Sequence, residues 1–179
     1  MLKLTVTVVD EYDEKNKKFI VETVDIELEH SLASLSKWEE KWEIPLLSSP
    51  DKTDEQSVSY LECMCLTPNV APEVFWKLTE EQQEQVSKYL EKKASATWFA
   101  DRPEPKSGES ITAELVYYWM DGFEINWEAQ YWHLNKLLTL IKVHSVKADN
   151  KPRQQSARNR QQEIMRLNAQ RLKETGSNG

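Results

Sequence analysis

The chain has 179 residues, 39% of them hydrophobic and 30% charged, with a net charge of −7. That length supports one domain with a substantial core plus a tail. No segment approaches the roughly 18 to 20 continuous apolar residues of a membrane span, and the start, MLKLTVTVVDEYDE, offers neither a basic n-region nor a small-residue cleavage site, so no secretory signal is expected.

Residues 2–12 alternate Leu2, Leu4, Val6 and Val8 against Lys3, Thr5 and Thr7, the pattern of a half-buried strand. The polar run DEYDEKNKK reads as a turn, and Val24, Ile26 and Leu28 alternate against Thr23, Asp25 and Glu27. The two runs predict an antiparallel hairpin over 2–28 that must lie on helices or pair with another chain.

Ser31 or Ser34 caps a short helix, LASLSKWEEKW, with Leu35, Trp38 and Trp42 on one side, and Ile44-Pro45 ends it. Thr53-Asp54-Glu55-Gln56 is a capping box opening a helix to about Leu66, with Val58, Leu61 and Cys65 inward. Pro72 suits the first turn of a short helix, EVFWKL. A second capping box, Thr79-Glu80-Glu81-Gln82, opens a helix to about Lys93 with Val86, Tyr89 and Leu90 inward. The stretch SATWFADRPEPKSGES is a loop.

From Ile111 to Val146 the spacing predicts an aromatic-rich helical hairpin, the expected centre of the domain. In its first helix Leu115, Tyr118, Trp119 and Gly122 share one stripe and Val116, Met120 and Phe123 the next, so that helix is expected to be enclosed. Asp121-Gly122 loosens it and Asn126 caps the second helix. Trp127, Tyr131, Leu134, Leu138 and Ile141 then recur at the spacing of one buried face. Trp132 falls on the opposite, polar face with Glu128, Asn135, Thr139 and Lys142. A tryptophan there is either covered by the loop holding Trp98 and Phe99 or offered to a partner. The expected fold is therefore α+β and mainly helical, with an N-terminal β-hairpin on a helical domain, residues 1–146, and a flexible basic C-terminal tail, residues 147–179.

That tail carries eight Lys/Arg against three acids, while the first 146 residues carry 15 against 27, a net of −12. A segment so poor in apolar residues is marginal or disordered alone in water. Its arginines, Arg153, Arg158, Arg160, Arg166 and Arg171, join Trp132, Trp98 and Phe99 as candidate partner contacts. The acidic body argues against nucleic acid as the main partner, since most of its surface repels phosphate.

Catalytic and metal chemistry find little footing. Cys63 and Cys65 lie two apart in a helical pattern and point away from each other, which excludes a disulfide framework and fits a reducing compartment. His133 and His144 stand three turns apart on one predicted helix, too distant to share a metal, and no second cysteine pair completes a tetrahedral site. None of the four glycines forms a phosphate-cradling loop, and no turn has the look of a nucleophile elbow. No enzymatic activity, cofactor or metal is expected.

Four segments in order, HSLASLSKWEEKW, AELVYYWM, YWHLNKLLTLIKV and RNRQQEIMRLNAQR, resemble the tail assembly chaperones of long-tailed bacteriophages of the siphovirus type. The resemblance spans nearly the whole chain, and WHLNKLLTLIKV is its most specific part. It implies a non-virion assembly factor in the host cell cytoplasm that binds the tape measure protein. Such a chaperone keeps that client soluble and extended, self-associates along it, and yields to tail tube protein polymerising around it. A structural component of the tail or neck, and a small nucleic-acid-binding regulator using the basic tail, are the alternatives.

Overall fold

The computed structural model describes residues 1–13, 15–49, 51–99, 110–149, 161 and 164–167. It divides into two compact units, Met1–His144 and Ser145–Gly179. The fold of the first is α+β and mainly helical. Strands β1 (Leu2–Asp13) and β2 (Lys18–Leu28) form an antiparallel hairpin. Five α-helices follow: α1 (Leu32–Trp42), α2 (Asp54–Met64), α3 (Glu80–Glu91), α4 (Ala113–Gly122) and α5 (Leu134–Asp149). Short 3-10 turns at Pro72–Lys77 and Trp127–Tyr131 precede α3 and α5. No helix among the described residues is long and apolar enough to cross a membrane.

The hairpin is longer than its hydrophobic pattern. Pairing runs from Leu2↔Leu28 to Asp13↔Lys18, with a bulge at Val8 between Thr7 and Val9. Leu4, Val6, Ile26 and Leu28 are buried, whereas Ile20 and Val21 are exposed. The polar run that reads as a turn is thus mostly strand. Its residues pair beyond the helical core, where neither face of the hairpin needs an apolar stripe and the alternation that marks a strand is lost. Asp13 tightens the actual turn by accepting from the backbone of Lys15 and Asn16.

Helix starts follow local chemistry. Ser31, Thr53 and Thr79 each accept from the backbone N–H three residues on, and the side chains of Ser34, Gln56 and Gln82 reach back to complete three capping boxes. Which faces turn inward follows tertiary packing more than the sequence pattern suggested. On α2 the buried side chains are Ser59, Tyr60 and Met64, while Val58, Leu61 and Cys65 only flank the core. On α4 the buried line is Ala113, Val116 and Met120. Trp119 is half-buried, and Tyr118 is 71% exposed, so α4 lies on the core with one face rather than being enclosed. The fully buried tryptophan is Trp38, whose ring nitrogen donates to the Gln56 carbonyl at 2.8 Å.

Beside Trp38, the buried carboxylate of Glu39 joins three segments. Its two oxygens accept from the backbone N–H of Leu46 at 2.9 Å and of Ala113 at 2.6 Å. Ala113 is the first residue of α4, so the carboxylate also faces the positive end of that helix. Burial raises its pKa, and the two N–H donors oppose that rise.

The largest correction concerns the second helix of the predicted hairpin. A single helix from Asn126 does not form. Asn126 does cap, accepting from the Glu128 N–H, but the 3-10 turn ends at Tyr131 and Trp132 is extended. The N–H of Leu134 donates to the His30 carbonyl at 2.7 Å instead of to its own helix. This tertiary bond resets the phase: Leu134, Leu137 and Ile141 are buried, while Trp127 and Tyr131 are exposed.

Two stability tests follow from this packing. Glu39→Ala strands two backbone N–H groups and is expected to cost roughly 2 to 4 kcal/mol, with Glu39→Gln recovering about half; urea titration measures both, and a wild-type midpoint for the alanine variant would refute the bridge. Trp38→Ala should cost about 3 to 5 kcal/mol and Trp119→Ala clearly less, an order that melting temperatures check.

Candidate functional site

The site is built where the extended connector between β2 and α1 meets the start of α5. Glu29 donates its backbone N–H to the Met64 carbonyl, and Ser31 forms an antiparallel bridge with His133. These contacts bring His30 and His133 together, with ring centroids 5.3 Å apart and edge to face. His30 Nδ1 lies 2.6 Å from the Tyr60 hydroxyl. His133 Nε2 lies 3.0 Å from the Tyr89 carbonyl oxygen, which can only accept, so the proton sits on Nε2. Nδ1 of His133 is then an acceptor, and it is buried with no partner among the described residues.

Burial, then the neighbouring His133 ring, lowers the His30 pKa to about 4, with Glu29 opposing. Burial likewise pushes the Tyr60 hydroxyl far above its ordinary value. For Tyr89 burial acts first and the hydrogen bond to Glu29 adds to it. The Glu29 carboxylate accepts from that hydroxyl at 2.6 Å and pairs with the N-terminal ammonium of Met1 at 2.7 Å. This is a polar cluster packed round one carboxylate, in which His133 Nδ1 alone is left without a partner among the described residues.

Above the cluster opens a cleft of about 340 Å³, lined on its outer side by Tyr131, Trp132, Lys92, Ala94 and Lys136. Trp132 is 40% exposed, and Lys136 holds its ammonium 4.2 Å from the centre of the indole. Ala94 sits at φ 49°, a left-handed conformation uncommon for a residue with a Cβ. The turn follows α3, whose end is fixed by the Asn135 side-chain amide donating to the carbonyls of Leu90 and Lys92, both at 2.9 Å.

A second cleft, of about 370 Å³, lies farther along α5. Trp98, Phe99, Leu138 and Thr139 form its walls, with Lys93 and Lys142 beside them. Trp98 is 76% exposed, and the Lys142 ammonium lies 5.2 Å from the Phe99 ring.

The loop carrying Trp98 and Phe99 therefore runs beside α5, at Asn135, Leu138, Thr139 and Lys142, and leaves Trp132 partly exposed in its own cleft. Trp132 does not share a helical face with those residues, because it precedes the helix. His133 also lies outside α5, so the three-turn spacing to His144 fails; His144 packs against Phe123 instead. Arg166 is exposed in a helical turn of the second unit, while Arg153, Arg158, Arg160 and Arg171 lie outside the described residues. The pairing of His30 with His133 left no trace in the sequence, since 103 positions separate them. The four-residue step from Trp132 to Lys136 was legible, but only as one pair among many.

Among the described residues no three His, Cys, Asp or Glu side chains gather to hold a metal ion. Cys63 and Cys65 are free, and burial raises both thiols above the ordinary range. No family model, curated protein or solved structure matches this chain.

The histidine cluster makes stability depend on pH. The folded state keeps His30 neutral down to about pH 4, whereas an unfolded chain protonates it near 6.5. Between those values the unfolded state binds the extra proton, so stability falls as pH falls. Urea titrations at pH 7.5 and pH 5 should show wild type losing roughly 2 kcal/mol more than His30→Gln; equal losses would show that His30 titrates as a solvated group.

Proposed function

We propose that this chain is a non-catalytic tail assembly chaperone of a long-tailed phage. It binds the tape measure protein in the host cytoplasm, keeps it soluble and extended, promotes tube polymerisation around it, and is absent from the mature particle. The observation that carries this reading is the cluster of large aromatic side chains left in solvent at the start of α5. Trp127 and Tyr131 are more than half exposed and Trp132 follows at 40%, all within six residues of a well-packed unit. Contiguous apolar surface of this kind marks an interaction site, and tryptophan is the side chain that most often anchors one.

The aromatics are held in place rather than loosely displayed. The Trp127 ring stacks on Tyr117 at 5.5 Å, and the Tyr117 hydroxyl donates to Gln130 at 2.9 Å. A rigid aromatic surface loses little entropy on binding. The segments AELVYYWM and YWHLNKLLTLIKV, two of the four that carry the resemblance to the chaperone family, supply Tyr117, Tyr131 and Trp132 of this surface, and Trp127 lies between them. An acidic body suits a factor that must keep an aggregation-prone client in solution.

Co-expression with the tape measure protein of the same phage tests the reading. The client should become soluble and co-purify, and purified particles should lack the chain; a client that stays insoluble, or a chain retained in particles, counts against it. Trp132→Ala should keep the wild-type melting temperature while weakening client capture by about 2 kcal/mol, roughly thirty-fold. A destabilised variant, or a stable one with unchanged capture, would remove Trp132 from the interface.

A further inference from the structure

We propose that the outer edge of β2 pairs antiparallel with the same edge of a second copy of this chain, joining two hairpins into a four-stranded sheet; the pairing goes beyond the chaperone reading and does not depend on it. The hairpin has two edges, and they differ. On β1 the Gln82 side-chain amide donates to the Thr5 carbonyl at 2.8 Å, the Lys77 ammonium donates to the Val8 carbonyl, and the bulge at Val8 interrupts the ladder. These are the devices that close a sheet edge to other strands. On β2 the cover is short. Leu66 donates its N–H to the Glu27 carbonyl at 2.8 Å, and the Thr67 hydroxyl accepts from the Glu27 N–H at 3.0 Å. Among the described residues, no hydrogen bond continues this cover along β2 toward the turn.

Glu27 sets the phase of the free edge. Its N–H and carbonyl both point away from β1, and backbone groups alternate along a strand. Those of Asp25, Thr23, Val21 and Phe19 therefore point outward as well. The side chains on this stretch are not those of a protected edge. Ile20 is 44% exposed and Val21 56%, two β-branched residues beside a row of outward donors and acceptors. An edge of this kind is a template for another strand.

Charge selects the occupant and the register. In a two-fold pairing, residues equidistant from the axis meet, so they must complement each other. Centred on Ile20, the pairing sets Lys18 opposite Glu22 of the second copy and Glu22 opposite its Lys18, on either side of an Ile20–Ile20 contact. Phe19 and Val21 then exchange backbone bonds, while Lys18 and Glu22 fall in the phase where side chains approach most closely. Both are exposed, and neither has an ion pair among the described residues. Centring on Val21 would set Ile20 against Glu22, and centring on Glu22 would set two glutamates face to face. Lys17 adopts φ 52°, so each strand ends at Lys18 and the second copy's turn begins opposite Thr23, clear of Leu66 and Thr67. Residues 18–22 of each copy make a small interface, so the dimer is a weak one.

Sedimentation of the full chain, from micromolar to near-millimolar concentration, should show a monomer–dimer equilibrium. Lys18→Glu and Glu22→Lys should each weaken self-association roughly tenfold or more, because like charges then face each other at both ends of the paired stretch. Mixed in equal amounts, the two variants should form a heterodimer about as tightly as wild type, since each supplies the charge that the other lacks. Val21→Pro removes an outward N–H while sparing the ladder to β1, and should leave the chain monomeric. Melting temperatures matching wild type establish that each variant is folded. If Val21→Pro unfolds, the two charge variants on exposed side chains decide the matter. Wild type that stays monomeric throughout would overturn the pairing and leave the edge to a strand of another protein. Folded variants that dimerise like wild type, or a mixture that stays monomeric, would overturn it equally.

Discussion

The first unit depends on a three-residue connector, Glu29 to Ser31, that leaves the hairpin and enters α1 without regular structure of its own. A buried extended segment must find a partner for every backbone polar group. Here each comes from a different element. Glu29 donates to Met64 at the end of α2 and accepts from the Ser34 hydroxyl at 3.1 Å, and the His30 carbonyl takes the N–H that begins α5. Satisfying one short segment thereby registers the sheet against three helices. The His30–Leu134 bond has a further consequence, because it starts α5 at a phase set by the connector and leaves the preceding aromatics outside the core.

Charge is partitioned in a way that serves both folding and the surface. Glu39 is buried only because two backbone donors meet its oxygens, one of them at the head of α4. Glu80 and Glu81 open α3, and Asp54 and Glu55 open α2, where acids are favoured. These placements stabilise helices and keep the exterior negative. Lys136, set against the dipole of its own helix, departs from that scheme and gains instead from the indole it covers.

The buried titratable groups are better understood as structure than as reactive chemistry. The rings of Tyr60, His30, His133 and Tyr89 pack edge to face in that order, and apart from His133 Nδ1 the polar atoms named above bind one another, the backbone or Glu29. Such a network fixes the floor of the Trp132 cleft, since a largely buried cluster with nearly all its groups hydrogen-bonded is rigid. A rigid floor in turn keeps Trp132 and Lys136 presented to solvent.

Local chemistry was legible in the sequence wherever a signal acts within a few residues. The hairpin's inner half, the capping boxes at Thr53 and Thr79, and a helix ending just before Ile44-Pro45 all formed where the sequence places them, while the Ser31–Ser34 capping box decided between the two serines that could cap α1. The α+β class followed from those elements. The inward face of α2, the break at Trp132 and the exposure of Trp127 and Tyr131 were decided by tertiary contacts. Periodicity assumes that a helix keeps one phase, and the bond from Leu134 to His30, 104 residues away, cancels that assumption. The candidate residues Trp98, Phe99 and Trp132 were visible as aromatics out of place. The pairing of Phe99 with Lys142 and of His30 with His133 was not, because only the fold makes such distant positions neighbours.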